Sequence, residues 1–201
     1  MIDKIPTLQR LCRALQHVPY LASKNVYKVA SYFLMAQEQK IEALCQIVLE
    51  ARKNITLCSL CCVWKEREGT CVFCADTKRD STIVCVVETW QELIAIEKTE
   101  GYRGMFHVLG GSISPLDGIG PSDLSIDVLV ARVTADERIK ELIFATNQTP
   151  EGEATAAYIA KKMVKEGLKL SCLARGIPVG SSLDMMDKLT VYKALSERRL
   201  F

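Results

Sequence analysis

Thr82-Ile-Val-Cys-Val-Val-Glu88 is a continuous β-branched and apolar run that ends on a carboxylate. A strand with one wet face would alternate apolar and polar residues. An unbroken run is what a strand buried on both faces of a parallel sheet requires. The downstream sequence keeps that grammar. A helix is predicted from Thr89 through Leu93 and Ile96, then a strand at Phe106–Leu109 and a helix carrying Leu124, Val128 and Leu129 with Ser122 as its cap. Leu142–Ala145 reads as the next strand. The helix from about Glu153 through Ala156, Ile159, Ala160 and Met163 is stopped by Gly167, and Leu168–Leu173 is a fourth strand. Glycine tolerates the left-handed conformation that ends many helices. Strands alternating with helices of this length imply a mainly parallel α/β sheet with helices on both faces. Gly110–Pro121 is a long connecting loop with four glycines and two prolines.

Upstream of the run, Cys58-Ser-Leu-Cys61 is followed after nine residues by Cys71-Val-Phe-Cys74. Two Cys-x-x-Cys pairs so spaced form two knuckles that present four thiolates to one Zn²⁺. A closed four-thiolate shell leaves no position for water or substrate, so the metal is structural. A module this short buries too little apolar surface to fold alone, and zinc can supply on the order of 10 kcal/mol. Cys62 is left out of the ligand set because Cys61 keeps the two-residue spacing.

The remaining N-terminal sequence reads as three short helices around a small core. Leu8, Leu11, Cys12 and Leu15 share one face after a Thr7 cap; Val26, Val29, Ala30 and Phe33 mark the second; Ile41, Leu44, Cys45, Val48 and Leu49 mark the third, which ends before Asn54. Lys24 and Lys28 lie one turn apart on the second helix, a spacing that lets two ammonium groups meet successive phosphates; the alternative is an ordinary solvated face. At the other end, Asp187–Arg199 reads as a helix with Leu189, Tyr192 and Leu195 inward, and Leu200-Phe201 either as an apolar tail suited to an interface or as a frayed end.

The 201 residues are 49% hydrophobic, ample for a core. The net charge of +2 hides an asymmetry: residues 1–57 carry eight Lys and Arg against four Asp and Glu, whereas residues 81–201 carry fourteen against sixteen. Nine cysteines, with Cys12, Cys45, Cys85 and Cys172 inside apolar patterns as small hydrophobes, suit a reducing compartment. Met1-Ile-Asp-Lys4 has no signal-peptide core, and no apolar run is long enough to span a bilayer, so a cytoplasmic protein without a membrane segment is expected. His17 and His107 have no partner spacing that suggests a triad or a metal site.

In open α/β sheets, sites lie beyond the carboxyl ends of strands. Those ends carry Glu88, then Asn147, Thr149, Glu151 and Glu153. Glu88 together with Ala145-Thr-Asn-Gln-Thr-Pro-Glu-Gly-Glu153 resembles the Toprim domain of topoisomerases and primases. That resemblance implies a glutamate at the end of the first strand and two aspartates after the third, which together hold Mg²⁺. Glu88 matches, but the aspartate positions fall at Asn147 and Thr149, which lack the charge a hard cation requires. The acidic site formed by Glu88, Glu151 and Glu153 is therefore read as vestigial or a docking surface. The alternative for Glu151 and Glu153 is support of a helix N-terminus, where carboxylates complement the macrodipole.

The chain as a whole resembles the RecR family of bacterial recombination mediators, most specifically at Tyr102–Pro121, Glu151-Gly-Glu-Ala-Thr155 and Leu173-Ala-Arg-Gly-Ile-Pro-Val-Gly180. The resemblance implies a helix-hairpin-helix DNA-binding domain at 1–57, a four-cysteine zinc module at 58–80, a Toprim domain at 81–173 and a Walker-B-like and helical C-terminal segment at 174–201. It further implies a ring-shaped homo-oligomer, a dimer or tetramer, that binds gapped, single- or double-stranded DNA without sequence preference through Lys24 and Lys28. It would join RecO, and in many bacteria RecF, to help RecA displace single-strand binding protein in the nucleoid, acting as a clamp and adaptor rather than an enzyme. The alternative is a Toprim-type metal-dependent nuclease or primase. The sequence departs from the family at Tyr20-Leu-Ala22, where the hairpin usually reads Gly-Ile-Gly and brings backbone N–H groups to a phosphate. No phosphate-binding Gly-x-x-x-x-Gly-Lys-Ser/Thr loop is present.

Overall fold

The strand predicted from Thr82–Glu88 is Asp80–Val87 (β3) in the computed structural model, which describes residues 4–198. It pairs in parallel on both sides, with Gly104–Val108 (β4) and Glu141–Phe144 (β5), and β5 pairs with Lys169–Cys172 (β6). The sheet order is β4-β3-β5-β6. Alternate residues of β3 feed two cores. Val84 and Val86 pack with Leu129 and Val133 of the helix Ile126–Ala135 (α5) and with Ile159 of Pro150–Lys162 (α6). Cys85 and Val87 pack on the opposite face with Leu93 of Trp90–Glu97 (α4) and with Cys58, Cys61 and Cys71. The unbroken apolar run is thus explained: β3 has no wet face, and each fully buried aliphatic side chain contributes about 1.5–3 kcal/mol. Helices therefore lie on both faces, as expected, and the cysteine module shares one of them with α4.

Sheet edge β4 is closed by two contacts from outside the sheet. The Val108 N–H donates to Cys61 O at 2.9 Å, and Arg132 of α5 donates to Phe106 O at 2.8 Å. Those bonds occupy backbone groups that would otherwise template another strand. A two-stranded sheet, Ile55–Leu57 (β1) with Trp64–Glu66 (β2), flanks the first knuckle.

The chain forms two compact units, one up to Ile55 and one from Thr56 onward. The first contains the helices Pro6–Gln16 (α1), Ser23–Met35 (α2) and Glu38–Asn54 (α3). Its buried core is Cys12, Val26 and Ala30, with Leu8, Leu11, Leu15 and Leu21 against them, so it draws on α1, α2 and their connection. The expectation of three helices around one core is corrected here: α3 has no buried residue, and Leu44, Ile47, Val48 and Leu49 stand exposed.

Several local expectations are also corrected. The cap of α1 is Ile5 rather than Thr7, because Pro6 begins the helix, where a missing N–H costs nothing. Ser122 caps nothing; it sits in a tight turn, Pro121–Asp123, and extended Leu124 separates that turn from α5. Ser125 holds the cap position but spends its hydroxyl on Val108 O. The helix expected from Glu153 begins at Pro150 behind a Thr149 cap and ends at Lys162, so Gly167, with φ +73°, serves the turn into β6 instead. Cys12 and Cys85 are buried as expected, whereas Cys45 and Cys172 are exposed. The last helix is Lys188–Ser196 (α7), and Leu189, Tyr192 and Leu195 face outward, not inward. Its expected end at Arg199 and the tail Leu200-Phe201 lie outside the described residues, as do Met1, Ile2 and Asp3.

Candidate metal centre and strand-end carboxylate clamp

The four cysteine thiols converge. Their Sγ atoms all lie within 4.8 Å of one another, with Cys61 and Cys71 at 3.4 Å and Cys58 and Cys74 at 3.9 Å. A tetrahedral site with metal–sulfur bonds of about 2.3 Å has sulfur–sulfur edges of about 3.8 Å. The donor set and its spacing therefore fit a tetrahedral, thiolate-binding metal. Each knuckle is set by the backbone: Cys62 N–H donates to Cys58 O at 2.9 Å, Ala75 N–H to Cys71 O at 2.9 Å, and Cys58 N–H to Val63 O at 2.8 Å. Cys62 turns the first knuckle in the left-handed region, φ +57°. Cys62 lines a cavity together with Ser125 and is not one of the four converging cysteines.

Electrostatics inside the cluster favour a cation. Burial acts to raise the Cys58 thiol, but the N–H groups of Cys61 and Leu60 outweigh it and lower the thiol to about 7. Cys61 is pushed up by its contact with Cys74 and by burial, and Cys71 is raised by burial first. Four thiols around one point cannot all ionise without a central positive charge to hold them.

At the carboxyl end of β3, Glu88 is 6% exposed. Asn147, just beyond β5, binds it with two donors: the backbone N–H to Oε1 and Nδ2 to Oε2, both at 2.7 Å. Asn147 Nδ2 also lies 3.5 Å from Glu92 Oε1. Burial acts to raise the Glu92 carboxyl, but hydrogen bonds from Thr89 and the backbone hold it below the ordinary range. Thr149 caps α6 by accepting the Gly152 N–H at 3.1 Å. Gly152 permits this crossing: a Cβ there would stand 2.1 Å from Asn147 O and 2.7 Å from Glu88 Oε1.

The other two acidic candidates take different roles. Glu151 sits in the first turn of α6, and its carbonyl accepts the Thr155 hydroxyl at 2.6 Å. Glu153 faces the C-terminal segment, with Lys193 of α7 at 2.8 Å and Arg175 at 3.2 Å. Among the described residues, Glu88, Glu151 and Glu153 do not form a second cluster able to hold a metal ion.

Lys24 and Lys28 are exposed in the first half of α2, on the face opposite buried Val26 and Ala30. In the connection before that helix, Tyr20 is fully exposed with φ +65°. The turn adopts the left-handed geometry that glycine favours although no glycine is present, at a cost of about 1 kcal/mol. His17 is on the surface, whereas His107 is fully buried and binds Ser125 through Nε2; burial and then Arg132 lower it to about 4, so it stays neutral near neutral pH.

Sequence reasoning missed the buried arginines. Arg79 donates to Gly104 O at 3.0 Å, pairs with Glu97 at 2.6 Å and lies 4.8 Å from the centroid of the Phe73 ring. It thereby ties the second knuckle to β4 and α4. No local pattern distinguishes it from a surface arginine; Glu97 and Gly104, which bury it, are distant in sequence.

A four-stranded parallel sheet whose strand ends carry Glu88 opposite Asn147 defines the class: residues 82–174 match the Toprim domain family. Residues 176–199 match the family described as RecR, C-terminal. The recombination protein RecR of Acidothermus cellulolyticus is 42% identical over 192 residues, 96% of each chain. That of Streptomyces coelicolor is 41% identical over 193 residues, again 96% of each, and that of Syntrophotalea carbinolica 41% over 199 residues, 99% of each. The chain belongs to the RecR family of recombination proteins.

Proposed function

We propose that this protein is a non-catalytic mediator of DNA repair and recombination, an adaptor that binds DNA and partner proteins and performs no chemistry on either. The Asn147–Glu88 clamp carries this reading. Where a catalytic Toprim site needs a carboxylate to share Mg²⁺ with Glu88, the Asn147 side-chain amide donates a hydrogen bond to it instead, beside the one from the Asn147 backbone N–H. Glu88 then lacks the aspartate partners with which to recruit a hydrated divalent ion. Thr149, at the other aspartate position, is committed to the cap of α6.

In this reading Cys58, Cys61, Cys71 and Cys74 hold a structural Zn²⁺, and Lys24 and Lys28 contact DNA phosphates without reading sequence. Glu151 and Glu153 contribute to a docking surface. The exposed apolar faces of α3 and α7 supply contacts for a ring-shaped homo-oligomer. RecO, and RecF where present, are the partners that bring the protein to single-stranded gaps for RecA loading, in the bacterial cytoplasm. Within 1–57, 58–80, 81–173 and 174–201 the proposed division of labour is DNA contact, zinc support, partner docking and assembly.

The test is a divalent-metal titration with gapped and single-stranded DNA, scoring cleavage and strand synthesis. No product is expected with Mg²⁺ or Mn²⁺. Metal-dependent product that disappears in Glu88→Gln would instead establish the nuclease or primase reading.

A further inference from the structure

Both tryptophans of the chain, Trp64 and Trp90, meet at one place. Their ring centroids are 4.9 Å apart at an interplanar angle of 38°, yet Trp64 is 53% and Trp90 40% exposed. They line a cavity of about 410 Å³ at the carboxyl ends of β3 and β4, with Val108 and Leu109 among its apolar walls. Large aromatic side chains left half-uncovered around a concave apolar site mark a place where another molecule is received. The site is separate from the Glu88 clamp, which Asn147 covers, and from the four-cysteine cluster.

The charge at the cavity selects the occupant. Asp123 is the ionisable carboxylate on the lining, and among the described residues no lysine or arginine lines the cavity. One oxygen of Asp123 accepts the Gly120 N–H at 2.8 Å, fixing the carboxylate at the rim. Ser125 spends its hydroxyl on Val108 O and His107, and Thr89 spends its own on the α4 capping box with Glu92. What remains for a visitor is apolar wall, two indole faces and a negative charge, with Gln91 and Cys62 as uncharged polar groups on the lining. Indole faces attract cations, whereas a nucleotide would bring phosphate to a site without a cation to neutralise it.

We propose that this cavity docks a partner protein through a short basic and apolar segment. One aliphatic or aromatic side chain enters between the indoles and Val108, and an adjacent arginine lies over an indole face and against Asp123. The inference goes beyond the DNA-contact reading and does not depend on Lys24 or Lys28.

Because the chain has only two tryptophans, its two indole N–H resonances both report this cavity. The experiment titrates the full-length ¹⁵N-labelled protein with three probes: acetyl-Leu-Arg-Phe-Arg-amide, its counterpart with glutamate for arginine, and oligothymidylate. The basic peptide is expected to shift both indole resonances saturably, and the acidic one to leave them in place. Asp123→Asn keeps an acceptor for Gly120, so it is expected to fold normally and to weaken the basic peptide about threefold. The Lys24→Glu/Lys28→Glu variant is expected to respond as the unmodified protein does, which separates this test from that of DNA binding. Indole resonances that ignore the basic peptide, that respond equally to the acidic one, or that keep full affinity in Asp123→Asn overturn the proposal. A saturable response to oligothymidylate overturns it too, and makes the cavity a base-stacking site.

Discussion

Asn147 and Gly152 act as one device. The side-chain amide replaces a charge with a donor that acts beside the backbone N–H, and the missing Cβ lets the start of α6 cross directly over that contact. Gly152→Ala must push the Asn147 carbonyl and Glu88 apart, so it is expected to cost about 3 kcal/mol of stability. Gly101→Ala, whose nearest contact would be 3.6 Å away, is the control and is expected to be nearly neutral. Urea unfolding midpoints of the two variants check this. Equal midpoints would mean that the clamp relaxes freely. Glu88 could be found from the sequence because a strand of unbroken apolar character ends on it. The role of Asn147 could be read only as a missing charge: a donor facing Glu88 depends on the parallel register of β3 and β5, which no local pattern supplies.

Among the elements, the sheet was legible and the outer helices were not, for a physical reason. β3 states its environment in its own residues, whereas α3 and α7 carry apolar faces that the folded chain leaves uncovered. A helical pattern records that a face is to be buried but not against what, so the pattern alone turns both inward. The knuckles were legible because ligand spacing is local. Their packing onto Cys85, Val87 and Phe106 was not, since that contact joins residues far apart in sequence. α7 is tied to α6 largely by charge. Lys193 first, then Arg175, holds the Glu153 carboxyl below its ordinary value of 4.5, and Thr190 bonds lower Asp187 at the α7 cap. A carboxyl depressed in the folded state stabilises above its unfolded value, and that contribution is lost as pH falls through the folded value. Acidification is therefore expected to release α7 before the sheet. Amide chemical shifts should show α7 leaving its helical values below about pH 4 while β3 remains intact. Resonances of α7 and β3 that change together would contradict this.

For the molecule as a whole, the four thiols are part of a core and not an appendage. Cys58, Cys61 and Cys71 are buried in the same cluster as Val87 and Phe106, and Cys61 O holds the Val108 N–H of the sheet edge. Metal removal is thus expected to weaken the unit from Thr56 onward, with a loss of at least about 3 kcal/mol and release of one zinc per chain. Thermal unfolding with and without chelator, paired with metal analysis, reads it; an unchanged midpoint after complete metal loss would contradict a structural centre. A Toprim fold without its metal-binding aspartates is proposed to serve DNA and partner binding. The most direct test is affinity for gapped and single-stranded DNA across a salt series, with and without RecO, for the unmodified protein and Lys24→Glu/Lys28→Glu. Binding is expected to strengthen with RecO, to weaken with salt, and in the double variant to fall along with a reduction of about two in the salt slope per bound protomer. Equal affinity and equal salt slope in the double variant would contradict it.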